Sequence, residues 1–154
     1  MELTYRPLRE ADKRAICAWR YGGDCAIYEL PPYETLKQEK REFMDPAAEK
    51  HYLGFFHGDM LVGYVNLRER EGQTLVGVGV APDLCGRGYG QAILEQVFRL
   101  SQERYPGKSL CLEVRVWNRR AIRCYHRAGF RIVGEPYQRV TPTGPGLFYW
   151  MTRA

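Results

Sequence analysis

Apolar positions change their spacing along the chain, and each change marks a different kind of element. Glu2 to Leu8 reads as a strand, and Glu10 to Trp19 as a short helix with Ala11, Ala15 and Ile16 available for burial. Residues 20–34 hold Gly22-Gly23, Pro31-Pro32 and, counting from Trp19, four aromatics; they read as a loop or broken helix, and residues 35–44 resume a helix. Alternation then takes over. His51 to His57 and Met60 to Arg68 flank Gly58-Asp59, a two-residue link suited to a tight hairpin. Glu71-Gly72 turns the chain again into Thr74 to Val80. Three consecutive strands with short turns predict an antiparallel meander.

After Pro82 the period becomes helical. Gly86-Arg87-Gly88-Tyr89-Gly90 opens a helix to about Tyr105, with Ile93, Leu94, Val97, Phe98 and Leu100 forming one apolar stripe. Pro106-Gly107 stops it. Leu110, Leu112, Val114 and Val116 then alternate with Cys111, Glu113, Arg115 and Trp117, which is strand periodicity. Asn118 suits an N-cap for a helix from Arg119 to Ala128, and Gly129 suits its left-handed end. Two last strands, about 130–140 and 147–152, are joined by a Pro/Gly-rich loop. The fold class is α+β, an α/β/α sandwich. Its sheet is mixed, mostly antiparallel, of about seven strands with one β-α-β crossover of right-handed sense.

Composition narrows the class. The 154 residues suit a single domain over 1–154 with its own core, without need of metal or disulfide. Hydrophobic residues at 45% and charged ones at 27% argue against disorder. No apolar run approaches a membrane span, and the opening strand does not resemble a signal peptide. The net charge of +5 favours an anionic ligand without by itself implying nucleic acid. Cys17, Cys25, Cys85, Cys111 and Cys124 form no C-x-x-C pair, and with His51, His57 and His126 they show no zinc spacing. The expectation is a reduced, cytoplasmic protein that binds neither metal nor membrane.

The glycine turn is the most informative feature. The first turn of a helix leaves amide N–H groups unpaired, its dipole favours negative charge, and glycines let those amides approach a phosphate. Arg87 adds a full charge. A Walker A loop needs Lys and Ser/Thr after its last glycine, where Gln91-Ala92 stands. A dinucleotide fingerprint needs a glycine at position 91, and the preceding strand belongs to a meander. Neither reading survives.

The run from Val78 to Gly90, with Gly79, Val80, Cys85, Gly86, Arg87, Gly88 and Tyr89, resembles the acetyl-CoA motif of the GNAT superfamily of N-acetyltransferases. A second block, Leu112 to Asn118 followed by Ala121-Ile122, Tyr125 and Gly129-Phe130, is similar to that family's downstream motif, nearest to the subgroup that acetylates ribosomal-protein N-termini. Arg6-Pro7 and Asp12 resemble its first strand and helix. One position departs: Cys85 stands where the family has Arg or Gln. Weaker CoA binding is expected, with Arg87 compensating. At a helix mouth a cysteine is favoured as thiolate, the form that exchanges with oxidised CoA to give a mixed disulfide and release one CoA thiolate.

The resemblance implies acetyl transfer from acetyl-CoA to a primary amine. It assigns backbone groups of Val78, Gly79 and Val80 to the thioester, Tyr125 to protonation of the departing thiolate, Glu113 to the base, and Asn118 to the pantetheine arm. A lysine amine is neutral about one part in 2,500 at pH 7, a penalty of roughly 4.6 kcal/mol, against about 1.4 kcal/mol for an α-amine. A weak or water-mediated base therefore suits an α-amine better.

Each assignment has a plainer counterpart. Tyr125 shares a helix face with Ala121, Ile122 and Ala128 and, apart from the resemblance, reads as a core tyrosine. Glu113 lies beside Arg115 and reads as a surface ion pair. Arg119, Arg123 and Arg127 repeat at i, i+4, i+8, as either a solvated face or an anion-facing stripe. Trp19, Tyr21, Tyr28 and Tyr33 either line the amine site or cap the core. The acceptor is a small-molecule or peptide amine: a peptide N-terminus, a polyamine, an aminoglycoside or a free amino acid. No nucleic-acid partner is expected, and a monomer or homodimer fits. The rival function is a non-catalytic CoA-binding regulatory or interaction module on the same fold.

Overall fold

A computed structural model describes residues 2–154. Its seven-stranded sheet has the order β1-β2-β3-β4-β5-β7-β6. β1 (Thr4–Arg6) runs antiparallel to β2 (Tyr52–His57), and β2 antiparallel to β3 (Met60–Arg70). β4 (Gln73–Val80) follows through Glu71-Gly72, both left-handed at φ 52° and 78°. That is the backbone a two-residue hairpin turn demands. β4 runs parallel to β5 (Leu110–Arg115), with Thr74 opposite Leu110 and Leu75 opposite Cys111. β5 pairs antiparallel with β7 (Gly144–Arg153), and β7 with the edge strand β6 (Arg131–Thr141). The α+β expectation and the β-α-β crossover both hold.

The chain divides into two compact units. One comprises the residues up to Asn66 together with Val78–Tyr89; the other comprises Leu67–Gly77 and Gly90–Ala154. In the first, α1 (Glu10–Ala18) and α2 (Tyr33–Glu39) supply Ile16, Cys17, Tyr33 and Leu36 to a core completed by Phe43 and Tyr52. Ala11 and Ala15 are exposed rather than buried. The buried stripe is rotated one column, onto Asp12, Lys13, Ile16 and Cys17. Partners for the charges permit this: Asp12 meets Arg6 at 2.6 Å, and Lys13 meets Glu49 at 2.6 Å. The helix expected over 35–44 starts earlier, after Pro32, and ends at Glu39, where Lys40 turns left-handed and donates its N–H to the carbonyls of Leu36 and Lys37. A 3-10 turn (Glu42–Met44) then buries Phe43 completely.

In the second unit, α3 (Tyr89–Arg104) continues from the glycine turn and buries Ile93, Leu94, Val97 and Leu100. Phe98 is half-buried beneath the Arg153 guanidinium, 3.9 Å from its ring centre. α4 (Arg119–Arg127) begins as expected, with the Ala121 N–H donating to Asn118 Oδ1 at 3.2 Å, and ends in Gly129 at φ 92°. The expected Pro/Gly-rich loop is largely strand, leaving only Pro142-Thr143 between β6 and β7. Thr141 makes so short a turn possible. Its hydroxyl donates to the Gly144 carbonyl at 2.8 Å and accepts the Thr143 N–H at 3.2 Å.

Candidate active site

The end of β4 is built by close approach. A Cβ on Gly79 would lie 2.6 Å from Cε1 of Tyr64, so glycine is required for the ring to lie against the strand. Tyr64 is in turn packed by Trp19 (ring centres 6.0 Å apart), Phe43 (6.2 Å) and Tyr52 (6.3 Å). The Tyr21 hydroxyl donates to the Val80 carbonyl at 2.6 Å. Burial, with Tyr64, Cys85, Cys25 and Glu29 nearby, pushes this phenol well above its ordinary value, so it remains a donor. Glu29 secures the same loop by accepting the N–H groups of Tyr21 (2.8 Å) and Gly22 (3.1 Å), which hold its carboxyl below the usual range.

Cys85 turns its thiol back onto this strand end, 3.6 Å from the Ala81 carbonyl and 3.9 Å from that of Val80. Gly86 and Gly88 follow at φ 79° and 87°, values that L side chains rarely adopt. Arg87 between them is exposed, and the first turn of α3 carries no acidic residue. Tyr89 is buried, and its hydroxyl meets His57 Nδ1 at 2.9 Å. Its side chain is thus an anchor, leaving its backbone to serve the turn. An exposed run of main chain with left-handed glycines, one arginine and a helix dipole behind it fits the diphosphate of CoA.

In the second unit, Glu113 projects from β5 opposite Trp150 of β7. One carboxylate oxygen accepts the Tyr137 hydroxyl at 2.7 Å, and the other is ion-paired with Arg139. Burial first, and Glu113 second, drive the Tyr137 phenol well above its ordinary value. Glu113 forms part of the wall of a cavity of about 370 Å³ shared with Arg68, Arg70, Leu75, Tyr137 and Trp150. The expected neighbour Arg115 is engaged elsewhere. It is buried, reaches the hydroxyls of Thr141 (3.2 Å) and Thr143 (3.4 Å), and stacks 4.8 Å over Phe148.

The other sequence candidates separate. Tyr125 is half-buried on α4, its ring centre 6.4 Å from that of Phe130. Arg119, Arg123 and Arg127 are all exposed, the solvated face of α4. Trp19 joins the aromatic group at Tyr64, and Tyr28 is exposed. Tyr33 is buried between helices, hydrogen-bonded to Glu10 with the Arg14 guanidinium 4.0 Å over its ring. Sequence reasoning missed Tyr64, Tyr137 and Arg139. A glycine inside a strand was the available signal for Tyr64. Tyr137 and Arg139 stand two apart on one strand face, a spacing that names no partner.

Among the described residues no helix is long and apolar enough to cross a membrane, and none of the five cysteines is in a disulfide. The peptidyl-lysine N-acetyltransferase YiaC of Escherichia coli (strain K12) is 36% identical over 90 residues, which span 58% of this chain and 56% of that protein. The chain thus matches little more than half the length of this curated relative. The spermidine N-acetyltransferase of Vibrio cholerae, solved with CoA and spermine, superposes with a TM-score of 0.75 at 20% identity, covering 97% of this chain and 94% of that one. The ribosomal-protein-S18-alanine N-acetyltransferase of Escherichia coli gives a TM-score of 0.66 at 20% identity, covering 99% and 93%. At these identities the two structures share the fold. The family description "Acetyltransferase (GNAT) family" matches residues 13–130, most of the chain, and the chain belongs to that family.

Proposed function

We propose that this chain transfers the acetyl group of acetyl-CoA to a primary amine. The observation that carries the reading is the placement of Glu113: an acceptor group on the strand parallel to β4, held by two donors and facing a cavity. One N–C bond forms to the acetyl carbon and the C–S bond breaks; the amine gives up a proton and the departing sulfur gains one. Glu113 takes the amine's proton, directly or through one water, and Tyr125 protonates the sulfur. The sequence resemblance assigns the coenzyme, which would supply an activated acetyl group, to backbone groups of Val78–Val80, to the Cys85–Gly90 turn and to Asn118. Cys85, with its thiol drawn back toward Val80 and Ala81 and its N–H donated to the Pro82 carbonyl at 3.4 Å, offers the coenzyme no long polar side chain.

The relatives are named for a peptidyl lysine, for spermidine and for an alanine of ribosomal protein S18, all amine-bearing acceptors. The setting we favour is the cytoplasm, where five cysteines outside any disulfide stay reduced. Thiol release from acetyl-CoA across an amine panel tests the reading. Tyr125→Phe is expected to lower kcat by roughly 100-fold or more with acetyl-CoA affinity little changed, and Glu113→Gln to flatten the pH–rate profile. Absence of calorimetric heat with millimolar acetyl-CoA overturns the assignment.

A further inference from the structure

We propose that the cavity beside Glu113 selects amine acceptors carrying a carboxylate close to the reacting nitrogen, and disfavours polycationic ones. The inference rests on the N-acetyltransferase reading and specifies its substrate class.

Three guanidinium groups, those of Arg68, Arg70 and Arg139, line the cavity against two carboxylates, Glu71 and Glu113. Arg139 is committed to Glu113. Arg68 and Arg70 lie two residues apart on β3 and so project from one face. Among the described residues neither has a carboxylate within ion-pair distance. Glu71 is exposed on the left-handed turn at the end of β3, where water screens it. Arg68 is half-buried, and Leu75 and Trp150 give the cavity apolar wall.

The consequence is a cavity with one cation in excess. Arginine's planar fork binds a carboxylate through two parallel N–H donors, and a partly enclosed site strengthens that attraction. The same charges repel an ammonium-rich chain, so discrimination comes from attraction and repulsion together. A polyamine or aminoglycoside brings several ammonium groups toward Arg68 and Arg70. A free acidic amino acid, or a peptide with acidic residues after its N-terminus, brings one reactive nitrogen toward Glu113 and carboxylates toward the arginines.

Calorimetry on the full chain separates these cases. The ligands are two tetrapeptides identical except for Asp-Asp or Lys-Lys at their second and third residues, together with L-glutamate and spermine. The acidic tetrapeptide is expected to bind at least about ten-fold more tightly than the basic one in low salt, with the ratio shrinking as salt rises. Binding of L-glutamate as well assigns small acidic amino acids; binding of the peptide alone assigns a peptide acceptor. In Arg68→Gln/Arg70→Gln the ratio falls toward one. Arg70→Gln alone, at an exposed position, lowers it in a protein whose fold is not at risk. Equal or tighter binding of the basic peptide or spermine, no binding of either acidic ligand, or an unchanged ratio in the arginine variants overturns the proposal. Turnover is scored separately: acidic-ligand binding without acetylation of any amine removes the acetyltransferase reading and leaves the charge selectivity standing.

Discussion

The hydroxyl of Tyr21 and the carbonyl of Val80 lie 2.6 Å apart, although 59 positions separate them in the chain. This bond ties the loop after α1 to the end of the strand assigned to the thioester. Tyr21→Phe removes the donor and leaves a partly buried carbonyl short of a partner. The expected cost is about 1–3 kcal/mol, a fall in Tm of roughly 2–4 °C per kcal/mol. A several-fold loss of acetyl-CoA affinity accompanies it. Calorimetry on the variant checks this, and unchanged affinity removes Tyr21 as a positioning residue.

Tyr137 holds one oxygen of Glu113 while Arg139 holds the other. With Tyr137→Phe the carboxylate loses one of two tethers but keeps its charge partner. An orienting hydrogen bond of about 1–2 kcal/mol corresponds to a roughly 5- to 30-fold drop in kcat. KM for acetyl-CoA is expected to stay the same. Steady-state kinetics decide the matter, since equal losses in both parameters point to general disruption.

Gly79 faces a ring that cannot retreat, because Trp19, Phe43 and Tyr52 surround Tyr64. Gly79→Ala is therefore an overpacking change costing about 1–3 kcal/mol. Adding Tyr64→Ala supplies room for the new methyl group, so the two substitutions together are expected to cost less than the sum of each alone. Urea unfolding of the single and double variants measures the difference, and strict additivity refutes the contact.

Asp12 gives a pH-dependent prediction. Burial opposes its ionisation, yet the Arg6 guanidinium and the Arg9 N–H outweigh that, leaving its carboxyl below the ordinary 3.8. A depressed folded-state value means the stabilisation is fully present above the unfolded pKa of about 3.9 and is lost as pH falls through the folded value. Asp12→Asn is expected to be destabilised by about 1.5–3 kcal/mol at pH 7, with the gap to the parent chain closing below pH 3. Urea midpoints at the two pH values provide the test.

The legible parts of this protein were those governed by neighbours in sequence. Alternation located the meander, the stripe from Ile93 to Leu100 located α3, and Asn118 and Gly129 marked the two ends of α4. The burial of α1 was misjudged because Asp12 and Lys13 turn inward only when Arg6 and Glu49 are there to meet them. The final loop was misjudged because a hydroxyl at Thr141, not its Pro/Gly content, sets the turn.

By itself the order of residues determined most of the strands and helices, the glycine turn at the mouth of a helix and the identity of Glu113 and Tyr125 as chemical groups. Periodicity, backbone preference and capping act over a few residues and are written locally. Tertiary structure alone decided that Glu113 belongs with Tyr137 and Arg139 rather than with Arg115, that Tyr21 secures Val80, and that Gly79 makes room for Tyr64. Those pairings join groups up to 59 positions apart, and the register and packing of distant strands and loops, not any local preference, bring them within reach.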